Sequence, residues 1–356
     1  MHWHVLTITV LSVFSLAYAP ASASPVVRPA HPRVNAVLYN NTNTASAPRG
    51  KVFQYFMQIW LENENYETVV NLPTYQELAK QGILLSNYDG FTHPSQPNYI
   101  AAVGGDTLGI TDNEFHTIPA DVTHIFDLVE EKGLTWKAYN EQLPAPGWKG
   151  KRSLDKLYVR KHNPAISFDS IALNFTRLMN VVPADFLLED IAEHKVPAYS
   201  FYTPNMVNDG HNSDSTVAGE WLLEFVDNVL NNAAFMEEAL VLLTFDESLP
   251  SAPCNHIWSC LIGGAIPRHL RGSIDNTYYT HYSALRTVEI NWDLGSLGRG
   301  DVGANIFQFV ADNVGHTNEH LSLSDNSKPT SALRAIHAGL RIVILHLSKL
   351  YTSLSE

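Results

Sequence analysis

Cysteine is scarce: two residues, Cys254 and Cys260, in a chain of 356. That excludes a disulfide-stapled small scaffold, and two cysteines without a suitable histidine pattern do not make a zinc site. In an oxidising compartment the pair is compatible with closing one small loop. Positive charge is also in short supply. Lysine and arginine number 23 against 36 aspartates and glutamates, a formal net charge of −13, which argues against binding a nucleic-acid backbone, since that needs a basic face. Apolar runs long enough to cross a bilayer, roughly 18–20 residues, do not occur beyond the N-terminus. The nearest candidate, residues 333–354, is broken by Arg334, His337, Arg341, His346 and Lys349, so membrane association is not expected. No internal repeat is visible. Charged residues make up only 17% and apolar ones 45%, a balance that supports a sizeable core and not a disordered chain.

The two ends differ from the middle. Val5 to Leu16 is an apolar run, and Ala21-Ser22-Ala23 fits a small-x-small cleavage site, so residues 1–23 read as an export signal and the protein as secreted. Residues 24–50, rich in Pro, Asn, Thr, Ser and Ala, read as a flexible leader. Asn40 and Asn174 stand in Asn-x-Thr sequons, the acceptor pattern for glycosylation after export in a eukaryote. Residues 51–320 carry the folded domain, and 321–356 form a tail of separate character.

Within the domain, apolar strands alternate with helices. Strands are expected at 52–61, 83–86, 134–139, 198–202, 240–245 and 257–262, and helices at 73–81, 97–103, 122–132, 184–194, 214–231, 282–291 and 304–313. Ala218, Trp221, Leu222, Phe225, Val226, Val229 and Leu230 form a helical stripe that must face a core. The uninterrupted apolar run at 240–245 suits the centre of a parallel sheet. The alternation predicts an α/β fold: a doubly wound, mostly parallel sheet with helices on both faces. Such sheets bind ligands beyond the carboxyl ends of their strands.

Those ends hold the reactive residue types. Glu62-Asn63-Glu64-Asn65 follows the first strand, and Asp246-Glu247 follows the strand at 240–245. Carboxylates and amide oxygens are hard ligands for a divalent cation, and crowding the anions without one is costly. Spacing does not choose between Glu62-Asn63 and Glu64-Asn65, although the first pair directly follows apolar Trp60-Leu61. Ser95 stands before a helix start with Pro97 in its first turn, where free N–H groups and the helix dipole favour a phosphate, and Asn98 can add an amide donor. Among 16 histidines, His211 follows the turn Asn208-Asp209-Gly210, His162 lies in the polar run 158–164, and His281 precedes a helix.

Together these segments resemble the phosphoesterase family, in particular its fungal acid phosphatases. The resemblance is carried by Ile59-Trp60-Leu61-Glu62-Asn63, Thr92-His93-Pro94-Ser95-Gln96-Pro97-Asn98-Tyr99, the run Tyr158 to Pro164, Thr203-Pro204-Asn205-Met206 with Asn208-Asp209-Gly210-His211, Leu243-Thr244-Phe245-Asp246-Glu247 and His281-Tyr282-Ser283. The family also contains phospholipases C and is similar to a branch of the alkaline phosphatase superfamily. The resemblance implies a divalent metal ion on Glu62, Asn63, Asp246 and Glu247, and Ser95 as a nucleophile forming a phosphoserine. It implies His211 or His162 as proton donor, and His93, Asn98 and His281 at the substrate. Some relatives place a metal-binding histidine where His256 follows Asn255. The implied activity is hydrolysis of small phosphate monoesters. A phospholipase C or phosphodiesterase with the same chemistry, and an inactive secreted binding protein, are the alternatives. A sulfatase is disfavoured because Cys-x-Pro-x-Arg is absent.

Overall fold

The computed structural model describes residues 48–319, apart from residue 232. The expected export signal, nearly all of the leader with Asn40, and the tail 321–356 lie outside the described residues.

Nine strands form one mixed sheet: β1 Tyr55–Leu61, β2 Ile83–Asp89, β3 Trp136–Asn140, β4 Val181–Pro183, β5 Tyr199–Thr203, β6 Ala239–Phe245, β7 His256–Ile262, β8 Ser273–Asp275 and β9 Tyr279–Thr280. The order is β4-β3-β5-β1-β6-β7-β2-β8, with β9 also paired to β2. Every pairing is parallel except those of β7, which runs against both β6 and β2. The expected mostly parallel α/β sheet is present. All seven residues of β6 are buried, and since neighbours along a strand point to opposite faces, both faces of the sheet centre are covered.

The helices follow local chemistry. Pro73–Gln81 has proline at its first turn and ends at Gly82. Ser215–Phe225 is capped by Asp214, whose side chain accepts from the Thr216 and Val217 amides, and a π turn over Val226–Leu230 continues it. The expected stripe points inward there: Ala218, Leu222, Val226 and Leu230 are fully buried. One boundary differs in a way that matters. The helix expected from residue 97 runs Ser95–Gly104 with Pro94 as N-cap, so Ser95 is its first residue and not its flank.

Sheet order places the site. β1 lies between β5 and β6, in register through Leu61 opposite Phe245. The pairing continues past the strand ends, with the Asp246 amide donating to the Leu61 carbonyl (3.0 Å) and the Glu62 amide to the Asp209 carbonyl (2.8 Å). Three loops are thereby held side by side. Trp60 floors them, against Tyr99 (ring centroids 4.7 Å), Phe201 (5.4 Å) and His281 (4.4 Å). The cysteines do not close a loop. Cys260 is buried in β7 opposite Leu84 and Leu243, Cys254 is exposed, and both are free thiols.

Candidate active site

The four residues expected to hold a metal converge. Asp246 Oδ1 accepts the Asn63 amide (3.1 Å) and the Glu247 amide (2.7 Å), and Asn63 Nδ2 donates to Glu247 Oε1 (2.7 Å). Asn63 adopts φ of 36°, a left-handed conformation that asparagine tolerates better than most residues and that turns its amide toward Asp246. Glu64 and Asn65 serve their own turn: Glu64 meets the Asn65 amide and Ser215 Oγ, and Asn65 Oδ1 accepts the Leu249 amide. Of the two pairs, Glu62-Asn63 is the one whose asparagine meets Asp246 and Glu247.

Ser95 faces this group. Its Oγ donates to Glu62 Oε2 at 3.0 Å and stands 3.4 Å from Glu247 Oε1. The helix N-terminus around it offers less than its sequence suggested, because the Gln96 amide is already bound to Asn113 Oδ1 (2.9 Å) and Pro97 has no N–H. Side chains carry more of the electrostatics. Lys161 Nζ reaches Ser95 Oγ at 3.5 Å, and Tyr99 Oη donates to Glu62 Oε1 at 2.6 Å.

On the other side of Glu62 lies a second buried group. His162 Nε2 is 3.0 Å from Glu62 Oε1, and its Nδ1 is 3.4 Å from Asp209 Oδ2. Neither nitrogen has the alignment of a hydrogen bond. The His162 ring lies parallel to Tyr99 at 5.1 Å, and Glu62, His162 and Asp209 together could hold a metal ion.

Electrostatics favour a cation. Four carboxylates, Glu62, Asp209, Asp246 and Glu247, are nearly inaccessible to solvent. Burial, reinforced by Glu62 and Glu247, pushes the Asp246 carboxyl well above the usual range, and burial raises that of Asp209. Burial would raise Glu62 too, but the charges of His162 and Lys161 outweigh it and hold that carboxyl well below its ordinary value. Asp246 Oδ2, Asp209 Oδ2 and Asn63 Oδ1 are buried acceptors with no hydrogen-bond partner. Orphaned hard oxygens around a shared carboxylate fit a divalent cation.

The histidines separate by exposure. His211 is exposed, its amide bound to Asp209 Oδ1 (2.8 Å) and its ring 5.9 Å from that of His162. It stands at the mouth of the site, whereas His162 is enclosed. His93, also exposed, places Nδ1 2.9 Å from Glu247 Oε2. Two expected substrate contacts are placed differently. His281 is fully buried and directs Nε2 at the Asp246 carbonyl (2.6 Å). Burial lowers its pKa to about 4, so it supports a strand end as a neutral ring. Asn98 accepts the Phe91 and Thr92 amides (2.9 Å each) and donates to the Thr92 carbonyl (2.8 Å) and to Glu247 Oε2 (3.3 Å). Those bonds tie a loop and orient Glu247. His256 lies apart, stacked on Tyr66 at 4.1 Å and bound to the Ser86 carbonyl.

The sequence reading assigned no role to Lys161, Tyr99 or Asp209. All three lie inside the motifs already singled out, so the signal was position within a motif, not residue type.

A model of the Phosphoesterase family matches residues 34–249. The chain belongs to the phosphoesterase family. As a phosphoesterase it is a phosphoric-ester hydrolase. It is 42% identical over 315 residues to an acid phosphatase of Aspergillus fumigatus, covering 87% of this chain and 70% of that protein. It is 43% identical to a phosphate-repressible acid phosphatase of Penicillium chrysogenum, covering 78% and 68%. A phosphatidylinositol-3-phosphatase of Mycobacterium tuberculosis is more distant, at 27% identity over 69% of this chain and 79% of that protein. Among solved structures, one from work on glycosaminoglycan metabolism by Bacteroides thetaiotaomicron is similar to this phosphoesterase in fold: TM-score 0.50, 8% identity, 75% of this chain and 83% of that one.

Proposed function

We propose that this phosphoesterase is a secreted acid phosphatase that hydrolyses small phosphate monoesters through a Ser95 phosphoserine. The observation that carries the reading is the setting of Ser95: a buried hydroxyl at a helix start, donating to Glu62 and flanked by Glu247 and Lys161. The similarity to fungal proteins described as acid phosphatases, at 38–44% identity, supports the substrate class.

Ser95 Oγ attacks phosphorus in line. An Oγ–P bond forms as the bond to the leaving alcohol breaks. The Ser95 proton leaves along its hydrogen bond to Glu62 and, because that carboxyl is held well below its ordinary value and does not retain it, passes to solvent, so the nascent alkoxide needs positive charge beside it. A divalent cation on Glu62, Asn63, Asp246 and Glu247 would supply that charge and neutralise a phosphate oxygen. His211, exposed at the mouth, gives the departing oxygen its proton. Water then attacks phosphorus from the side the alcohol left, giving one proton to His211, and the Oγ–P bond breaks as Ser95 Oγ regains a proton from solvent, so phosphate departs with Ser95 and His211 restored. His162, enclosed between Glu62 and Asp209, keeps those carboxylates in place.

Secretion rests on the N-terminal signal pattern. Asn174 is exposed and caps a short helix through Oδ1, which leaves Nδ2, the atom a glycan occupies, pointing away from the cap. The test of the reading is acid quenching during turnover. A phosphoryl group should appear on the peptide carrying Ser95, and Ser95→Ala should lose it together with several orders of magnitude in kcat. Near-normal turnover by Ser95→Ala would refute the assignment.

A further inference from the structure

We propose that Lys161 is a catalytic residue that grips a phosphoryl oxygen beside Ser95 and sets the preference for monoesters over diesters. The inference rests on the reading of Ser95 as nucleophile.

Lys161 is the middle residue of the 3-10 turn Arg160–His162, and both neighbours are clamped. The Arg160 guanidinium donates to the His116 carbonyl (3.1 Å), Ser167 Oγ (2.9 Å) and the Ile166 carbonyl (2.7 Å), and lies over the Phe115 ring at 4.1 Å. His162 is buried between Glu62 and Asp209 with its ring stacked on Tyr99. With both sides fixed, the base of the lysine side chain has little freedom. Its tip ends 3.5 Å from Ser95 Oγ. Among the described residues, no carboxylate lies within 4 Å of its ammonium in an ion pair. An ammonium has three N–H donors, and a nitrogen 3.5 Å from Ser95 Oγ is within reach of an oxygen on a phosphorus bonded to that Oγ.

Charge makes this placement consequential. Glu62 and Glu247 lie 3.0 and 3.4 Å from Ser95 Oγ, so negative charge crowds the hydroxyl and an ammonium beside it eases the approach of an anionic phosphate. Lys161 is the lysine whose charge acts on both Glu62 and Asp246. A monoester carries up to two charges over three unesterified oxygens, so one oxygen is left for the ammonium after another meets the cation that Glu62, Asn63, Asp246 and Glu247 would hold. A diester carries one charge, and its second organic group replaces one of those oxygens. Removing the ammonium therefore costs a monoester a charge-assisted bond that a diester makes less well.

The experiment uses the full chain with Lys161→Met, which keeps an unbranched apolar stem, and Lys161→Arg, which keeps the charge. Both are compared with wild type on an aryl monophosphate and on the bis-aryl phosphate. We expect Lys161→Met to lower monoester kcat/KM by roughly 10²–10³-fold, the loss typical of one oxyanion donor, and diester kcat/KM by about tenfold or less. Lys161→Arg should recover much of the monoester loss. In a Ser95→Ala background, where chemistry is removed, Lys161→Met should weaken binding of inorganic phosphate by about tenfold or more by calorimetry. Equal losses on both substrates, or unchanged phosphate affinity, would overturn the proposal and leave Lys161 a positioning residue for Ser95. Wild-type kinetics in Lys161→Met would remove it from the site. Should Ser95→Ala itself remain active, the nucleophile reading fails, while the monoester-to-diester ratio of Lys161→Met still judges the lysine.

Discussion

Tyr99→Phe tests the buried support of Glu62. The substitution deletes one oxygen, whose hydroxyl donates to Glu62 Oε1 at 2.6 Å, and keeps the ring against Trp60 at 4.7 Å and over His162 at 5.1 Å. Packing loss is therefore small and the effect is electrostatic. A hydrogen bond to a charged acceptor contributes about 1.5–3 kcal/mol, and a buried carboxylate that loses a donor bears that cost. For a folded unit of this size, the cost corresponds to a fall in Tm of about 3–5 °C. Glu62 is also the carboxylate shared by both candidate metal groups, and loss of a bond that orients a ligand typically weakens metal affinity about 10–100-fold. The assay is paired. Chelator-treated wild type and Tyr99→Phe are compared by thermal unfolding, then titrated with Zn2+, Mn2+ and Ca2+ while phosphatase activity and bound metal are followed. Weaker binding of whichever ion restores activity, with kcat falling when that ion is limiting, is expected. Tm within about 1 °C of wild type together with unchanged metal affinity would refute the argument that Tyr99 holds Glu62 for its task.

Asp246→Asn removes the charge from the carboxylate with an orphaned Oδ2 and should lose bound metal and activity together; full activity after exhaustive chelation would show the group is no metal site. His211→Ala should lower kcat/KM on alkyl phosphates by about 10²–10⁴-fold and on activated aryl phosphates far less, because a good leaving group needs little protonation; equal losses on both would exclude His211 as the acid. Glu289 is buried and close to Asp301, which together raise its pKa to about 8 against the bond to Arg286. Its folded-state pKa lies above its unfolded one, so its contribution is complete below about pH 4.5 and fades as pH rises through about 8. Wild type should therefore lose stability relative to Glu289→Gln across that window, by roughly 3 kcal/mol between pH 4.5 and 7. Parallel Tm-versus-pH curves for the two proteins would contradict the shift.

Much of the site was legible because its chemistry is local. Glu62-Asn63 and Asp246-Glu247 sit where apolar runs end, and a strand that ends at a sheet's carboxyl edge presents its next residues to the ligand crevice. Ser95 was marked by the proline two residues on. Other parts were hidden for equally physical reasons. Asn98 and His281 have side chains fit to bind phosphate, yet a loop carbonyl, loop amides and the Asp246 carbonyl already occupy them. Lys161 and His162 are adjacent in one 3-10 turn, and only the turn's packing sends the first to Ser95 and encloses the second.

The strands β1, β5 and β6, the capped helix after Asp214 and the polar groups at the strand ends follow from the sequence by itself, because period, capping and turn chemistry act over a few neighbouring residues. The short strands β4, β8 and β9, with two or three residues each, have no period to read and exist only because a neighbour pairs with them. The antiparallel course of β7 and the placing of β1 between β5 and β6 were decided by tertiary structure. That order unites carboxylates nearly two hundred residues apart. Their mutual repulsion opposes the gathering, and the burial of the strands beneath them, together with Lys161 and His162, enforces it.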